Sequence, residues 1–253
     1  MSVPDKPVVL CFSGHDPGGG AGIQADIEAI GAQGAFAATV VTCLTEQDSR
    51  QVYAVHPVAS ELIRQQAQRL FADYHMSAIK IGLLGNADSA YSILELLQEQ
   101  PPVPLILDPV LASGAGSPLA QAQWLRPLFA RCTLLTPNRE EARRLTGKND
   151  LESAAQQLMN AGCTAVLITG ADESEQGRVT HSLYHQHGVR HWQWQKLPGQ
   201  YHGSGCTLAS AIAAQIALGQ SLEPACHLAQ TYTYASLQKA IHPGKGQFIP
   251  NRL

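Results

Sequence analysis

The sequence contains few charged residues and no long apolar segment. Charged side chains account for 15% of the 253 residues, and the formal net charge is -3. Because lysine and arginine form no cluster, neither nucleic acid nor an anionic membrane surface is expected as a partner. Apolar segments such as 8–12 and 165–168 are far too short to cross a bilayer. With 45% hydrophobic residues, the composition predicts a well-packed globular protein.

The six cysteines lack the spacing of a zinc or redox motif. No two of them form a Cys-x-x-Cys pair. Several lie among apolar residues, where a free thiol behaves as a small hydrophobic side chain. Residues 1–7 show no signal-peptide pattern. Together these features predict a reduced, cytoplasmic protein.

Short apolar segments alternate with longer helical patterns along the chain. Near-continuous apolar strands separated by helices are typical of a parallel sheet covered on both faces. Residues 182–185 and 190–194 alternate with a period of two, which predicts an antiparallel hairpin at a sheet edge. With no linker or repeat, we expect one α/β domain over residues 1–253. The predicted strands are 8–12, 38–42, 78–81, 105–108, 133–136 and 166–169, and apolar residues recur at helical spacing at 23/27/30, 62/67/70 and 93/94/97.

Gly203, Ser204, Gly205 and Cys206 stand directly before a run of good helix formers. Glycine lets the backbone come close to a ligand, and a helix N-terminus offers unpaired N–H groups and a partial positive charge. The segment therefore predicts an anion-binding site with Cys206 in the first helical turn. A tight turn with a packed cysteine is the alternative that these residues alone leave open.

A second glycine-rich segment follows the first predicted strand, with five glycines between positions 14 and 22. Their spacing fits neither the G-x-G-x-x-G dinucleotide motif nor a Walker A loop. Asp26 borders the apolar face of the next helix, where a carboxylate is either solvated or bonded to a polar ligand. Gln47, after the second predicted strand, is either a surface residue or a partner for the edge of a heterocycle.

Polar residues follow three further predicted strands. Asp108 is costly to bury unless it meets a cation such as magnesium or a lysine. Asn138 and Glu141 either cap a helix or hold water around a phosphate-bound magnesium ion. Thr169 and Gly170 form another polar strand end. Because the carboxyl ends of parallel strands meet at one edge of a sheet, these groups converge there and predict phosphoryl transfer without a Walker A loop.

Six motifs carry a resemblance that extends over nearly the whole chain. They are residues 13–26, Thr45-x-Gln47, residues 80–84, Asp108-Pro109-Val110, residues 136–142 and residues 203–208. In this order they resemble the hydroxymethylpyrimidine/phosphomethylpyrimidine kinases of thiamine biosynthesis, which belong to the ribokinase superfamily. The resemblance implies a ribokinase-like α/β fold and a homodimer. It also implies use of ATP and magnesium to phosphorylate 4-amino-5-hydroxymethyl-2-methylpyrimidine and then its monophosphate.

The resemblance implies roles for individual residues as well. Asp26 and Gln47 would hold the aminopyrimidine ring, while Asn138 and Glu141 would organise magnesium through water. The further residues implied for the substrate pocket are Gly14, Ala21, Leu83 and Val110. The residues implied for ATP and phosphate binding are Asp108, Asn138, Thr169 and Gly170. The residues implied to stabilise charge on the transferred phosphoryl group are Gly203, Ser204, Gly205 and Cys206.

Cys206 stands where most sugar kinases of the superfamily carry an aspartate base. Because a helix N-terminus stabilises a thiolate, we expect Cys206 to accept the proton of the attacking hydroxyl. Cys206→Ala should then slow the first phosphorylation more than the second. Two positions depart from many relatives: Gly18 replaces a serine, and Thr169-Gly170 replace a lysine, which leaves phosphate charge to magnesium and backbone amides.

Three other functions fit parts of the pattern. A pyridoxal-type kinase of the same superfamily acts on a similar ring, although Gln47 favours the aminopyrimidine. A non-catalytic binder of pyrimidine phosphates would keep Asp26 and Gln47 but lose the magnesium pair and the anion site, which this chain retains. A thiol hydrolase built on Cys206 and His202 would need an orienting partner for the histidine, and none is evident in the sequence.

Overall fold

The described part of the chain comprises residues 6–112, 119–170 and 176–253 of a computed structural model. Residues 1–5, which belong to the N-terminal segment without a signal-peptide pattern, lie outside the described residues. The strands are β1 (Val8–His15), β2 (Phe36–Gln47), β3 (Val52–Pro57), β4 (Met76–Ile81), β5 (Leu105–Leu107), β6 (Leu134–Leu135), β7 (Ala165–Ile168), β8 (Arg178–His185) and β9 (Gly188–Gln195). The helices are α1 (Gly22–Ala32), α2 (Ser60–Asp73), α3 (Ala87–Gln98), α4 (Ala122–Leu125), α5 (Arg139–Thr146), α6 (Leu151–Asn160), α7 (Ser204–Ala217) and α8 (Leu222–Gln238), and a 3-10 helix spans Arg126–Arg131.

These strands form one sheet in the order β3-β2-β1-β4-β5-β6-β7-β8-β9. Strands β2, β1, β4, β5, β6 and β7 are parallel. At one edge, β8 and β9 form an antiparallel hairpin against β7. The mostly parallel sheet and the antiparallel edge predicted from the sequence are both confirmed.

Successive side chains of the central strands pack alternately into two hydrophobic cores, one on each face of the sheet. Leu10 and Phe12 of β1 pack in the core that faces α2, α3 and α6. Val9 and Cys11 point to the opposite face, which α1, α7 and α8 cover. Because both faces are covered, these strands are apolar over most of their length. No helix within the described ranges is long and apolar enough to span a membrane.

The second sheet edge differs from the prediction. Strand β2 was expected over 38–42 but runs on to Gln47 and pairs with β3 in an antiparallel hairpin. The sequence obscures this hairpin because Thr45 and Gln47 at the end of β2 are polar. Strands β5 and β6, by contrast, are shorter than predicted, and Asp108 and Thr136 lie just beyond their ends.

Candidate active site

A cavity of about 380 Å³ opens at the carboxyl ends of the parallel strands. Loops after β1, β4, β5, β6 and β7 contribute to its wall, together with the end of β2 and the N-terminus of α7. This is the edge at which open α/β sheets bind ligands. The sequence-predicted site residues that line it are Gly14, Ala21, Gln47, Leu83, Asp108, Val110, Asn138, Glu141, Thr169, Gly203, Ser204, Gly205 and Cys206. Asp26 and Gly170 are not among the lining residues.

Asp16 organises the glycine-rich loop after β1. Its carboxylate accepts hydrogen bonds from the backbone N–H groups of Gly18, at 2.8 Å, and Ala21, at 2.9 Å. Nε2 of His202 lies 2.8 Å from the same carboxylate, and Nε2 of Gln47 lies 3.4 Å from that ring nitrogen. Burial opposes the charge of Asp16, but the hydrogen bond and charge of His202 outweigh it and lower the pKa of Asp16. The ionised carboxylate thereby fixes His202 beside Gln47 in the cavity wall.

His202 and Cys206 are not paired with each other. The ring of His202 is directed to Asp16, whereas the thiol of Cys206 interacts electrostatically with Asp108. Asp16 is thus the orienting partner that the sequence did not reveal. The histidine it orients nevertheless serves the glycine-rich loop and does not activate the thiol.

The N-terminus of α7 forms an anion-binding surface. Gly203 caps the helix in the left-handed region, with φ of 81°. A Cβ at this position would overlap the carbonyl oxygen of Gly20, so only glycine fits. Within the described residues, no acceptor pairs with the N–H groups of Ser204, Gly205 and Cys206. Since all three residues line the cavity, their amides and the helix dipole offer positive potential to an anion there.

Asp26 is directed to Lys80 behind the cavity wall. Nζ of Lys80 donates hydrogen bonds to Oδ1 of Asp26, at 2.8 Å, and to Oγ of Ser13, at 2.9 Å. The hydroxyl of Ser210 donates to the same carboxylate oxygen at 2.6 Å. Both charged side chains are 0% exposed. Burial opposes the charge of Lys80, but the carboxylate of Asp26 outweighs it and raises the pKa of Lys80, so the ammonium persists beside the site.

Asp108 is a carboxyl group adapted to exchange a proton near neutral pH. Burial is the largest influence, and with the negative charge of Asp26 it raises the pKa of Asp108 to about 6. The charge of Lys80 and a hydrogen bond from the Cys206 thiol partly offset this rise. A buried Asp108 requires a cation nearby, and Lys80 supplies it. A pKa near the working pH is the property expected of a general base.

Cys206 lacks the acidity that we expected of it. Removal from water raises the pKa of its thiol to about 12, and the charges of Asp108 and Asp26 add to the rise. Lys80 and a hydrogen bond from the Gly22 backbone favour the thiolate but do not outweigh burial. Burial in this acidic pocket thus outweighs the stabilisation of the thiolate by the helix N-terminus. That Cys206 accepts the proton of the substrate stays a prediction, and Asp108 is the alternative acceptor.

Asn138 and Glu141 form a capping box at the start of α5. Oδ1 of Asn138 accepts a hydrogen bond from the Glu141 N–H at 2.8 Å, and Oε2 of Glu141 accepts one from the Asn138 N–H at 3.0 Å. The Leu111 N–H donates to Oε1 of Glu141 at 3.2 Å. Within the described residues, no group of three or more His, Cys, Asp or Glu side chains is arranged to hold a metal ion directly. The pair therefore fits magnesium held through water, since further lone pairs of both side chains can accept from ligand water.

Gly170 packs away from the cavity. A Cβ there would overlap the Thr180 carbonyl oxygen and lie 3.3 Å from two guanidinium nitrogens of Arg139. Thr169 does line the cavity and pairs with Asn138 in an isolated parallel bridge. Arg139 thus places a cation beside the strand end formed by Thr169 and Gly170.

The sequence reasoning missed the contacts of three residues that it had named, Asp16, Lys80 and His202. Asp16 and His202 are 186 residues apart, and only the fold brings them together. Lys80 was included in a motif, but its apolar neighbours made it look like an ordinary strand residue. The sequence could have predicted the role of Lys80, because a lysine in an apolar strand is buried and therefore requires an acidic partner.

Comparisons with known proteins show the family to which the chain belongs. The family model described as "Phosphomethylpyrimidine kinase" matches residues 16–251. A hydroxymethylpyrimidine/phosphomethylpyrimidine kinase of Haemophilus influenzae is 31% identical, with 94% of this chain and 93% of that protein covered. A probable thiamine biosynthetic bifunctional enzyme of Oryza sativa subsp. japonica is 33% identical over 97% of this chain. This chain spans 46% of the rice protein's length.

A solved structure of Bacillus subtilis pyridoxal kinase in complex with ADP superposes with a TM-score of 0.90. The two chains are 26% identical, and 98% of each is covered. The shared architecture confirms the ribokinase-like fold that the resemblance implied. By the extent of the family match and the identity to full-length relatives, this chain belongs to the phosphomethylpyrimidine kinase family.

Proposed function

We propose that this protein transfers the γ-phosphoryl group of ATP to hydroxymethylpyrimidine and then to the resulting monophosphate. One observation carries the proposal: the unpaired amides of Ser204, Gly205 and Cys206 open into the same cavity as the buried carboxyl of Asp108. An anion site beside a base with a pKa of about 6 is suited to phosphoryl transfer from ATP to a hydroxyl.

Another part of the cavity wall suits a small heteroaromatic ring. Leu83, Val110 and Ala21 supply apolar surface. Gln47 adds an amide that both donates and accepts hydrogen bonds, as the edge of an aminopyrimidine requires. His202 and Asp16 hold this wall in place. We propose that Gln47 contacts the ring directly, whereas Asp26 acts from behind the wall by fixing Lys80.

The proton of the substrate hydroxyl goes to Asp108 in this scheme. The hydroxyl oxygen forms a bond to the γ-phosphorus, the bond from that phosphorus to the ADP oxygen breaks, and Asp108 holds the released proton. The positive charge of Lys80 opposes the rise in the pKa of Asp108, so that most of this carboxyl group is ionised at neutral pH. In the second phosphorylation the nucleophile is a phosphate oxygen, which carries charge already and needs little help from a base.

Magnesium would be held through water by Asn138 and Glu141, and when bound it neutralises charge on the phosphates. The amides of residues 204–206 stabilise the charge that develops on the transferred group. Thr169, next to Asn138, extends the phosphate-binding surface toward Arg139.

We further propose that the protein acts as a cytoplasmic homodimer built from a single catalytic domain. All six cysteines are free thiols, five of them buried, as is typical of proteins from reducing compartments. Light scattering on the purified protein tests the oligomeric state, with twice the chain mass of 27.1 kDa expected.

ATP consumption with magnesium and hydroxymethylpyrimidine, its monophosphate or pyridoxal, each offered separately, tests the proposed function. Turnover of both pyrimidines supports it. Turnover of pyridoxal alone would transfer the assignment to the second candidate, which the fold match to a pyridoxal kinase favours. No turnover of any of the three would contradict both.

A further inference from the structure

We propose that Arg252 is a positioning residue that clamps the glycine-rich loop after β1 onto the N-terminus of α7. Both segments contribute to the cavity wall, one beside the proposed substrate ring and one at the transferred phosphoryl group. As far as catalysis is concerned, the inference rests on the proposed function. The clamp itself is a property of the fold.

The guanidinium of Arg252 reaches both segments at once. Its Nε donates a hydrogen bond to Oγ1 of Thr207 in the first turn of α7, at 2.8 Å. Its Nη2 donates to the carbonyl oxygen of Gly20, and Nη1 lies 3.5 Å from that of Gly19. Nη1 also pairs with Glu28 of α1 at 3.1 Å. A planar fork can serve all these acceptors in fixed directions, which an ammonium group cannot do.

Thr207 links Arg252 to Gly203, the N-cap residue of α7. While its hydroxyl accepts from Arg252, it donates to the carbonyl oxygen of Gly203 at 2.8 Å. Gly203 in turn touches Gly20 so closely that neither a Cβ nor a shift of the loop would fit without separation of the two segments. The amides of residues 204–206 follow directly after this contact, so their position relative to the loop depends on it.

The backbone of Arg252 is anchored independently of the cavity. The Tyr232 hydroxyl of α8 donates to the carbonyl oxygen of Arg252 at 2.9 Å, and the N–H of Asn251 donates to Ser236 at 3.0 Å. The side chain of Arg252 is 0% exposed, whereas its partner Glu28 is 25% exposed. A fixed backbone and a buried fork make Arg252 a rigid link between α8 and the two segments.

The clamp is tested with three variants, Arg252→Ala, Arg252→Lys and Glu28→Gln. Loss of the fork should lower kcat/KM for both pyrimidines by about 10- to 100-fold, since small misplacements of reacting groups have effects of this size. Arg252→Lys should behave like Arg252→Ala, and added guanidinium or ethylguanidinium should restore part of the activity of Arg252→Ala. Glu28→Gln removes the ion pair but leaves the contacts to Gly20 and Thr207, so it should stay within about threefold of the wild type.

Hydrogen exchange read by mass spectrometry gives a measure that needs no turnover. In Arg252→Lys, peptides that cover residues 18–22 and 202–207 should exchange faster than in the wild type, while the β4 and β5 peptides stay unchanged. Wild-type exchange in both cavity peptides, or a uniform increase over the whole chain, would overturn the clamp. So would wild-type kcat and KM in folded Arg252→Lys. Inactivity of the wild-type protein on both pyrimidines would refute the proposed function only, because the exchange result stands apart from it.

Discussion

Asp26 and Lys80 form a buried ion pair behind the cavity, with Nζ of Lys80 2.8 Å from Oδ1 of Asp26 and both side chains fully enclosed. The pair explains two features of the site at once. Lys80 moderates the pKa of the neighbouring Asp108, and Ser13, which also binds Lys80, belongs to the cavity wall.

Removal of one partner of this pair should be strongly destabilising. Lys80→Met leaves a buried carboxylate without its cation and should lower the free energy of unfolding by about 3–5 kcal/mol. The double variant Lys80→Met/Asp26→Asn should lose less than the sum of the two single variants, because neither partner of this pair is then left charged and buried without the other. Urea denaturation measures the effect. Purely additive losses would contradict the pairing, and the exposed pair Arg64–Glu99 serves as a control in which little coupling is expected.

Gly203→Ala should abolish activity, and its matched control lies at the other end of the same helix. Gly203 and Gly219 have φ of 81° and 89°, so alanine strains both by about 1–3 kcal/mol. Only at position 203 would the new methyl group meet the Gly20 backbone, since nothing lies within 4 Å of a Cβ at position 219. Steady-state kinetics on the folded variants check this. Comparable kcat/KM in the two variants would contradict the tight contact between loop and helix cap.

His202→Ala should weaken substrate binding. Without the ring, Asp16 loses a hydrogen bond and Gln47 loses the neighbour that positions it. Gln47 must then be ordered when the substrate binds, and immobilising such a side chain costs about 0.5–1.5 kcal/mol, so the Kd of hydroxymethylpyrimidine should rise about 2- to 10-fold. Calorimetric titration without nucleotide measures this. His191→Ala, which removes a histidine bonded to Ser182 in the edge hairpin, should leave the Kd unchanged.

Asp108→Asn should stabilise the protein at pH 8 while it impairs catalysis. The pKa of Asp108 is raised from 3.8 to about 6 on folding, so its ionisation costs the native state more than the unfolded state. The protonated form contributes its full stability below pH 4, and this is lost as the pH rises through 6. The difference in free energy of unfolding, variant minus wild type, should therefore increase by about 3 kcal/mol from pH 4 to pH 8. A difference that does not change with pH would contradict the raised pKa.

Much of the fold was predictable, because apolar segments indicate buried strands and the helical spacing of apolar residues indicates helices that pack on the sheet. At α1 the structure differs from the sequence pattern, because the helical spacing of Ile23, Ile27 and Ile30 predicts that these three residues form the buried face. Ile27 is 46% exposed, and Asp26 occupies the buried position in its place. This exchange is possible only because Lys80 neutralises the carboxylate, and the sequence alone does not show that contact.

The motifs likewise predicted which strand ends form the cavity, since parallel topology brings them to one edge. They did not predict the electrostatics within it. The acidity of Cys206 depends on desolvation and on the nearby charges of Asp108, Asp26 and Lys80, which come from three different elements. The clamp by Arg252 depends on where the chain returns after α8, which no local pattern encodes.

The pH dependence of the first phosphorylation tests most directly whether Asp108 is the proton acceptor. With saturating ATP and magnesium, kcat/KM for hydroxymethylpyrimidine should fall below about pH 6 in both the wild type and Cys206→Ala. Asp108→Asn should lose about 100-fold or more in activity together with this acid limb. If Asp108→Asn keeps the wild-type profile, or if Cys206→Ala removes the limb, the proposed role of Asp108 is contradicted.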